Sequence, residues 1–179
     1  NFNLDSVDFF SKMGFKNNFD VYFKNLNSVG KNVENYKSSP QVELMSILNL
    51  ETSMPLVKID ENYTNIITPK LSFRFNPSDM KNYTNTNRTL TANNIFDINR
   101  LGISDSFEQG KSVTLGTDYK KESLEDINKY FEFKLAGVIR DTVQKNIPIT
   151  SSINQETSNL FGSATYSLSE LVDLKYDFS

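Results

Sequence analysis

Apolar and polar residues alternate along much of this chain. Ile67, Pro69, Leu71, Phe73 and Phe75 fall on one parity, and Thr68, Lys70, Ser72, Arg74 and Asn76 on the other. A period of two marks a β-strand whose two faces meet different surroundings. The run covers about ten residues, within the roughly 9–11 that a tilted membrane strand needs. Phe131, Phe133, Leu135, Gly137 and Ile139 repeat the pattern against Glu132, Lys134, Ala136, Val138 and Arg140. Val172, Leu174, Tyr176 and Phe178 do so against Asp173, Lys175 and Asp177. Weaker versions run through Phe19/Val21/Phe23, Val42/Leu44/Leu48/Leu50, Val113/Leu115/Tyr119 and Leu160/Ala164/Tyr166/Leu168, and a poorly patterned first strand falls near Asn3–Phe10. About eight strands are predicted.

The connections sharpen this reading. Short ones are expected at 11–17, 54–66, 122–129 and 169–170, and long ones at 29–40, 77–108 and 142–157. Short turns at one end and long loops at the other are the pattern of an outer-membrane barrel. The fold class expected is therefore all-β: an antiparallel up-and-down transmembrane β-barrel segment, part of a larger barrel. One partial barrel domain is expected over 1–179, with a long external loop at about 77–108. The chain opens Asn1-Phe2-Asn3-Leu4, without Met or a basic-then-apolar leader, and reads as an interior excerpt.

Composition changes the picture in two ways. The chain has no Cys, His or Trp and a net charge of −3, while Phe (14) and Tyr (8) are abundant in a sequence only 37% hydrophobic. Without Cys or His there is no thiolate nucleophile, imidazole base or ordinary zinc site. The acidic balance argues against nucleic acid as a partner. Neither an enzyme nor a cofactor is expected. The low hydrophobicity becomes sensible when sorted by parity: an apolar stripe faces lipid, and charged residues line a wet lumen. Lys70, Arg74, Glu132, Lys134 and Arg140 are the lumen-facing candidates. Tyr63, Tyr119, Tyr166 and Tyr176 are candidates for interfacial girdles.

One loop segment carries candidate chemistry. Counting from Asp97, oxygen-bearing Asp97, Asn99, Asp105 and Glu108 take positions one, three, nine and twelve, with Gly102 at six. That is much of a calcium loop of the EF-hand kind. Leu101 at position five and a strand-like flank weigh against it. The alternative is a compact turn built on Gly102 and Gly110, with Asp105 and Glu108 as hydrogen-bond acceptors. The Asn/Thr/Lys tract 81–94 reads as polar turns.

The same segment carries a resemblance. Asn99-Arg100-Leu101-Gly102-Ile103-Ser104-Asp105-Ser106-Phe107-Glu108-Gln109-Gly110, followed by Ser112-Val113-Thr114-Leu115-Gly116, resembles the barrel domain of the LPS-assembly protein LptD family. Thr68–Pro77, Tyr130–Arg140 and Thr157–Gly162 agree in order. The motif residues are Asn99, Arg100, Gly102, Asp105 and Gly110. Where many members have Asp-Arg, this chain has Asp105-Ser106. The resemblance implies lipopolysaccharide transport and insertion into the outer leaflet of a Gram-negative outer membrane. It implies lipopolysaccharide, outer-membrane lipid, an LptE-like lipoprotein plug and a periplasmic Lpt bridge as partners. A general porin or receptor barrel is the alternative, and a soluble all-β carbohydrate-binding domain a further one.

Overall fold

A computed structural model describes residues 1–32, 38–150 and 152–179. Parts of the expected loops 29–40 and 142–157 therefore lie outside the described residues. The described chain holds ten strands: β1 (Phe2–Asp5), β2 (Phe9–Phe10), β3 (Lys16–Ser28), β4 (Gln41–Ser53), β5 (Leu56–Ile59), β6 (Tyr63–Asn76), β7 (Gly110–Ser123), β8 (Tyr130–Arg140), β9 (Phe161–Ser169) and β10 (Val172–Phe178). They form one sheet of order β1-β3-β4-β6-β7-β8-β9-β10, with β2 beside β3 and β5 beside β6. Each pair is antiparallel, and β1 and β10 are not paired with one another. This is an open up-and-down sheet, as befits a segment of a larger barrel.

The two short strands account for the difference from eight. Phe2 faces Phe23 and Phe9 faces Asn17, so β1 and β2 form one strand that takes up an extra residue between them. β4 and β5 are likewise continuous: Ser53 faces Lys70 and Leu56 faces Ile67, with no slip in register. Pro55, which lacks an N–H, separates them. Met54 bridges the gap by donating its N–H to the Pro69 carbonyl at 3.1 Å. The sequence reading placed the whole of 54–66 in a connection. The structure shortens that turn to 60–62, closed by the Asp60 N–H on the Tyr63 carbonyl at 2.9 Å.

Loop lengths alternate as the pattern requires. Turns 11–15, 60–62, 124–129 and 170–171 lie at one end, and the longer connections that leave β3, β6 and β8 start from the other. The parities also separate cleanly. On β6, Ser72, Arg74 and Asn76 are buried, while Ile67 and Leu71 stand exposed on the opposite face. On β7, Ser112 and Thr114 are buried and Leu115 is exposed. A water-soluble sandwich reverses this, burying its apolar side.

What covers the polar face is the strap 77–109. Its Met80, Leu90, Ala92, Ile95, Leu101 and Ile103 form a buried core with Ile147 and Ile153 of the neighbouring loop. This core settles on Ala136, Val138 and Phe161, an apolar window in the otherwise polar parity of β8 and β9. Phe107 of the strap packs with Met45 and Ile47 of β4 in a second cluster. Apolar side chains from a loop thus find burial on the sheet's charged side.

The register also aligns the outward aromatics. Tyr119, Phe133, Ala164 and Tyr176 face one another across β7 to β10, and Phe131, Tyr166 and Leu174 form the adjacent row. Both rows lie toward the short-turn end.

Candidate functional site

The strap meets the wall through four buried charges. Arg74 on β6, Arg140 on β8, and Arg100 and Glu108 on the strap are 3%, 5%, 3% and 6% exposed. Strand register sets the wall half of the site. Arg74 faces Ser112, and Ser112 faces Arg140, so Arg–Ser–Arg forms one row across β6, β7 and β8. Adjacent strands lie about 4.8 Å apart, so two long guanidinium side chains on β6 and β8 can converge above β7.

They converge on Glu108. Arg74 Nη1 donates to Glu108 Oε2 at 3.2 Å, and Arg140 Nη2 donates to Oε1. Arg100 grips the same carboxylate with two donors, Nε to Oε2 at 2.7 Å and Nη2 to Oε1. Bidentate guanidinium–carboxylate pairs are the strong form of charge-assisted hydrogen bond. The donors left over are also placed. Arg74 Nη2 donates to the carbonyls of Asp97 (2.6 Å) and Ile98, and Arg140 Nε to the Ile153 carbonyl at 2.6 Å. Arg100 reaches Thr114 Oγ1 at 2.9 Å and Ser112 Oγ at 3.0 Å. Burial lowers the Arg100 guanidinium to about 9, which leaves it a cation at neutral pH. Three positive charges therefore face one negative charge in a site nearly closed to water.

The motif residues build the turn that delivers Arg100 and Glu108. Asn99 bridges the turn with its side chain: its Oδ1 accepts the Ile103 N–H at 3.1 Å, and its Nδ2 donates to the Ile103 carbonyl at 2.9 Å. Gly102 and Gly110 adopt φ of +60° and +88°, where a side chain is strained. Arg88 Nη1 caps the turn by donating to the carbonyls of Leu101 and Gly102 at 2.8 and 2.7 Å. Asp105 accepts from Lys81 Nζ at 3.3 Å and from the Tyr83 hydroxyl.

The calcium pattern does not assemble. Both oxygens of Glu108 are taken by arginines, Asp105 is held by Lys81 and Tyr83, and Asn99 closes its own turn. No group of three or more acidic residues fit to hold a metal occurs among the described residues.

Nearer the short turns the polar face is open. A cleft of about 590 Å³ lies between the strap and the wall, lined by Asp20, Glu51, Lys70, Asp118 and Lys134 with Phe96 above them. Lys70 pairs with Asp118 on the neighbouring strand, and Lys134 with Glu132 two residues away at 3.2 Å. Lys134 also donates to Asn93 Oδ1 of the strap at 3.0 Å. Phe96 seats where the wall is smallest. A Cβ on Gly116 would stand 2.9 Å from its ring, 2.9 Å from Ala136 Cβ and 2.9 Å from the Leu135 carbonyl oxygen. Lys70 Nζ lies 5.5 Å from the Phe96 ring centroid, a cation–π distance.

The lumen-facing candidates therefore divide. Lys70, Glu132 and Lys134 line the open part of the polar face. Arg74 and Arg140 are buried under the strap, where sequence reasoning set them in water. The partnership of Glu108 with the wall arginines was also missed. Its spacing invited a cation reading, and only the fold brings three guanidinium groups to it.

A family model described as LPS transport system D matches residues 15–179. No curated protein and no solved structure matches the chain.

Proposed function

This chain belongs to the LptD family, and from that we propose that it forms part of the wall of the outer-membrane barrel that inserts lipopolysaccharide into the outer leaflet. The family is one of lipopolysaccharide transport proteins of the Gram-negative outer membrane, not of enzymes. In this reading residues 1–179 are a partial barrel domain, completed by strands that continue the sheet at β1 and β10. The exposed stripe through Ile67, Leu71, Leu115, Ile139 and Leu174 faces lipid. The two aromatic rows near the short turns form the periplasmic interfacial girdle, and the long loops stand at the external end. The polar face lines the lumen, shared with the strap and an LptE-like lipoprotein plug, and lipopolysaccharide is delivered over a periplasmic bridge.

The observation that carries this reading is the inversion of the sheet. The loop-end half of its charged parity is buried under its own loop, and its apolar parity is bare. That arrangement suits a lipid solvent, where every backbone group is paired within the sheet and apolar side chains need no cover. The mechanism asks no bond-making of this chain. It supplies part of the wall, a polar interior face and an internal strap whose position sets how much of the lumen is open.

Depletion of the full-length protein in its native host tests the proposal. The amount of lipopolysaccharide reaching the cell surface should fall, and newly made lipopolysaccharide should accumulate in inner membranes. A porin would instead lose solute permeability while surface lipopolysaccharide stayed normal, and that result would sink the reading.

A further inference from the structure

Glu108 occupies a site that the wall builds without it. Arg74, Ser112 and Arg140 stand in one row on three adjacent strands of the wall. Among the described residues, Glu108 is the carboxylate that ion-pairs with either wall arginine. It comes from the strap, and so does Arg100. Lifting the strap would remove one cation and one anion together. The wall would keep two guanidinium groups and a hydroxyl, with their negative partner gone. Two neighbouring cations uncovered without their partner attract another anion by Coulomb's law. Paired guanidinium groups with a hydroxyl between them match the oxygens of a phosphate group, the chemistry Arg recognises best.

We propose that the Arg74–Ser112–Arg140 row is an anion site for a phosphate-bearing ligand, and that Glu108 is a tethered surrogate anion holding it shut. The inference rests on the polar face being the lumen of the barrel. Ligand phosphate and strap compete for the same two guanidinium groups. A phosphate on the wall therefore frees the strap, and a docked strap excludes the phosphate by occupying those groups, by the reciprocity that binds any two linked equilibria. The strap's second anchor is weaker in kind: Phe96 lies on Gly116 beside Ala136, an apolar contact with no ion pair to the wall beyond the neighbouring Lys70 ring contact. Once Glu108 yields, the strap keeps no carboxylate on the wall arginines, and its hold on β7 and β8 rests on contacts without an ion pair. Among them are Phe96 on Gly116, the apolar core on Ala136 and Val138, and the hydrogen bonds of Arg100 to Ser112 and Thr114 and of Lys134 to Asn93.

The chain has no cysteine, so Ala136→Cys places a single thiol within it, at a position 3% exposed beneath the strap. The experiment uses the full-length protein in its detergent-solubilised complex and measures the rate at which this thiol reacts with a small charged maleimide. Added probes are inorganic pyrophosphate, micelles of a diphosphorylated glucosamine-disaccharide lipid, and micelles of the same lipid with both phosphates removed. Without ligand, Glu108→Gln should raise the rate by about tenfold or more, since it frees a clasp held by buried charge. The phosphorylated lipid should accelerate labelling in the parent, and Arg74→Gln or Arg140→Gln should bring that ligand-dependent ratio back to about one. Acceleration by pyrophosphate as well supports a site for the phosphate group alone. Acceleration by the phosphorylated lipid only supports a headgroup site. Equal acceleration by the dephosphorylated lipid, or none by any probe, overturns the proposal. So does an unchanged rate in Glu108→Gln whose barrel still runs as the compact, heat-modifiable form on gels. Should Glu108→Gln fail to assemble, Glu108→Asp keeps the charge but shortens the reach, and an unchanged rate there also overturns the idea. Failure of the lipopolysaccharide reading would appear in the surface assay and leave these labelling rates untouched.

Discussion

The two halves of the polar face use similar residues in opposite ways. Toward the long loops, Arg74 and Arg140 are buried and tied through Glu108 to a separate piece of chain. Toward the short turns, Lys70, Lys120 and Lys134 pair with Asp118, Glu122 and Glu132 of the wall itself and remain partly exposed. The lower half is a wall that satisfies its own charges. The upper half is a wall that cannot, and depends on the strap. Charges on one parity of a strand therefore do not share one role. What decides the role is whether the partner lies on the same sheet or on a segment able to leave it.

The sharpest way to break the contrast is to neutralise the clasp. Glu108→Gln leaves three buried arginines without their shared ion-pair partner and should weaken strap docking by about 3–5 kcal/mol. Limited proteolysis of the full-length protein should then cut within 77–109 while the lower half stays protected. Cleavage at the same rate as the parent would refute the contrast.

Leu135→Arg tests the outer face against the inner. Leu135 lies across from Thr117 and Gly162, between the aromatic rows and the loop end. An Arg there should destabilise the barrel by about 2–4 kcal/mol if it sits near the bilayer midplane. Urea titration of folding into lipid vesicles measures this. Tolerance equal to that of Lys134→Ala would remove the lipid assignment.

Gly116→Val should loosen the strap's apolar anchor and press on the β8 backbone beneath it. The added side chain would meet Phe96, Ala136 and the Leu135 carbonyl, at a cost of about 1–3 kcal/mol for overpacking. Proteolysis should increase near Phe96 more than near Glu108. Lys134→Ala should be the mildest change in the wall, at or below about 1 kcal/mol, because its pair with Glu132 is partly solvated.

The smallest effect is local and depends on pH. Asp126, in the turn between β7 and β8, is held below the usual carboxylate range, first by the Asn128 N–H and then by Lys129. A carboxyl lowered in the fold stabilises it above the unfolded value and loses that contribution as pH falls through the folded one. Amide exchange at Asn128 should therefore quicken in that acid range, with no change in the strap. A rate that followed only the ordinary pH dependence of exchange would count against the Asp126 contact.

The sheet was readable because its signal is periodic and local. Ile67 to Phe75 announce a strand from neighbours two apart, and loop lengths announce which ends are alike. Strand β5 escaped notice because Pro55 interrupts the alternation and Val57 and Ile59 fall on the parity expected to be polar. The candidate site was legible in its parts only. Arg74 and Arg140 stood out as charges on the polar parity of strands whose other parity is apolar, and the Asn99–Gly110 block stood out by resemblance. Their meeting depends on contacts 32 residues apart for Arg140 with Glu108, and 34 for Arg74. No periodicity encodes such a meeting. The strap's inward docking was not legible: 81–94 reads as polar turns, and the buried Leu90, Ile95, Leu101 and Ile103 are spaced irregularly, by a fold with no repeating geometry.

The strap's inward docking also governs how this stretch can change in length. Surface loops ordinarily accept insertions at little expense. Here residues 90–109 are fixed at Phe96 and at Glu108, so an added residue between those anchors would pull one of them out of register with β7. Spare length can be absorbed only around exposed Asn85 and Asn87, before the first buried strap residues of that stretch. An epitope tag placed there should leave the barrel's interior intact, and divergence among homologous chains is expected to gather at the same tip.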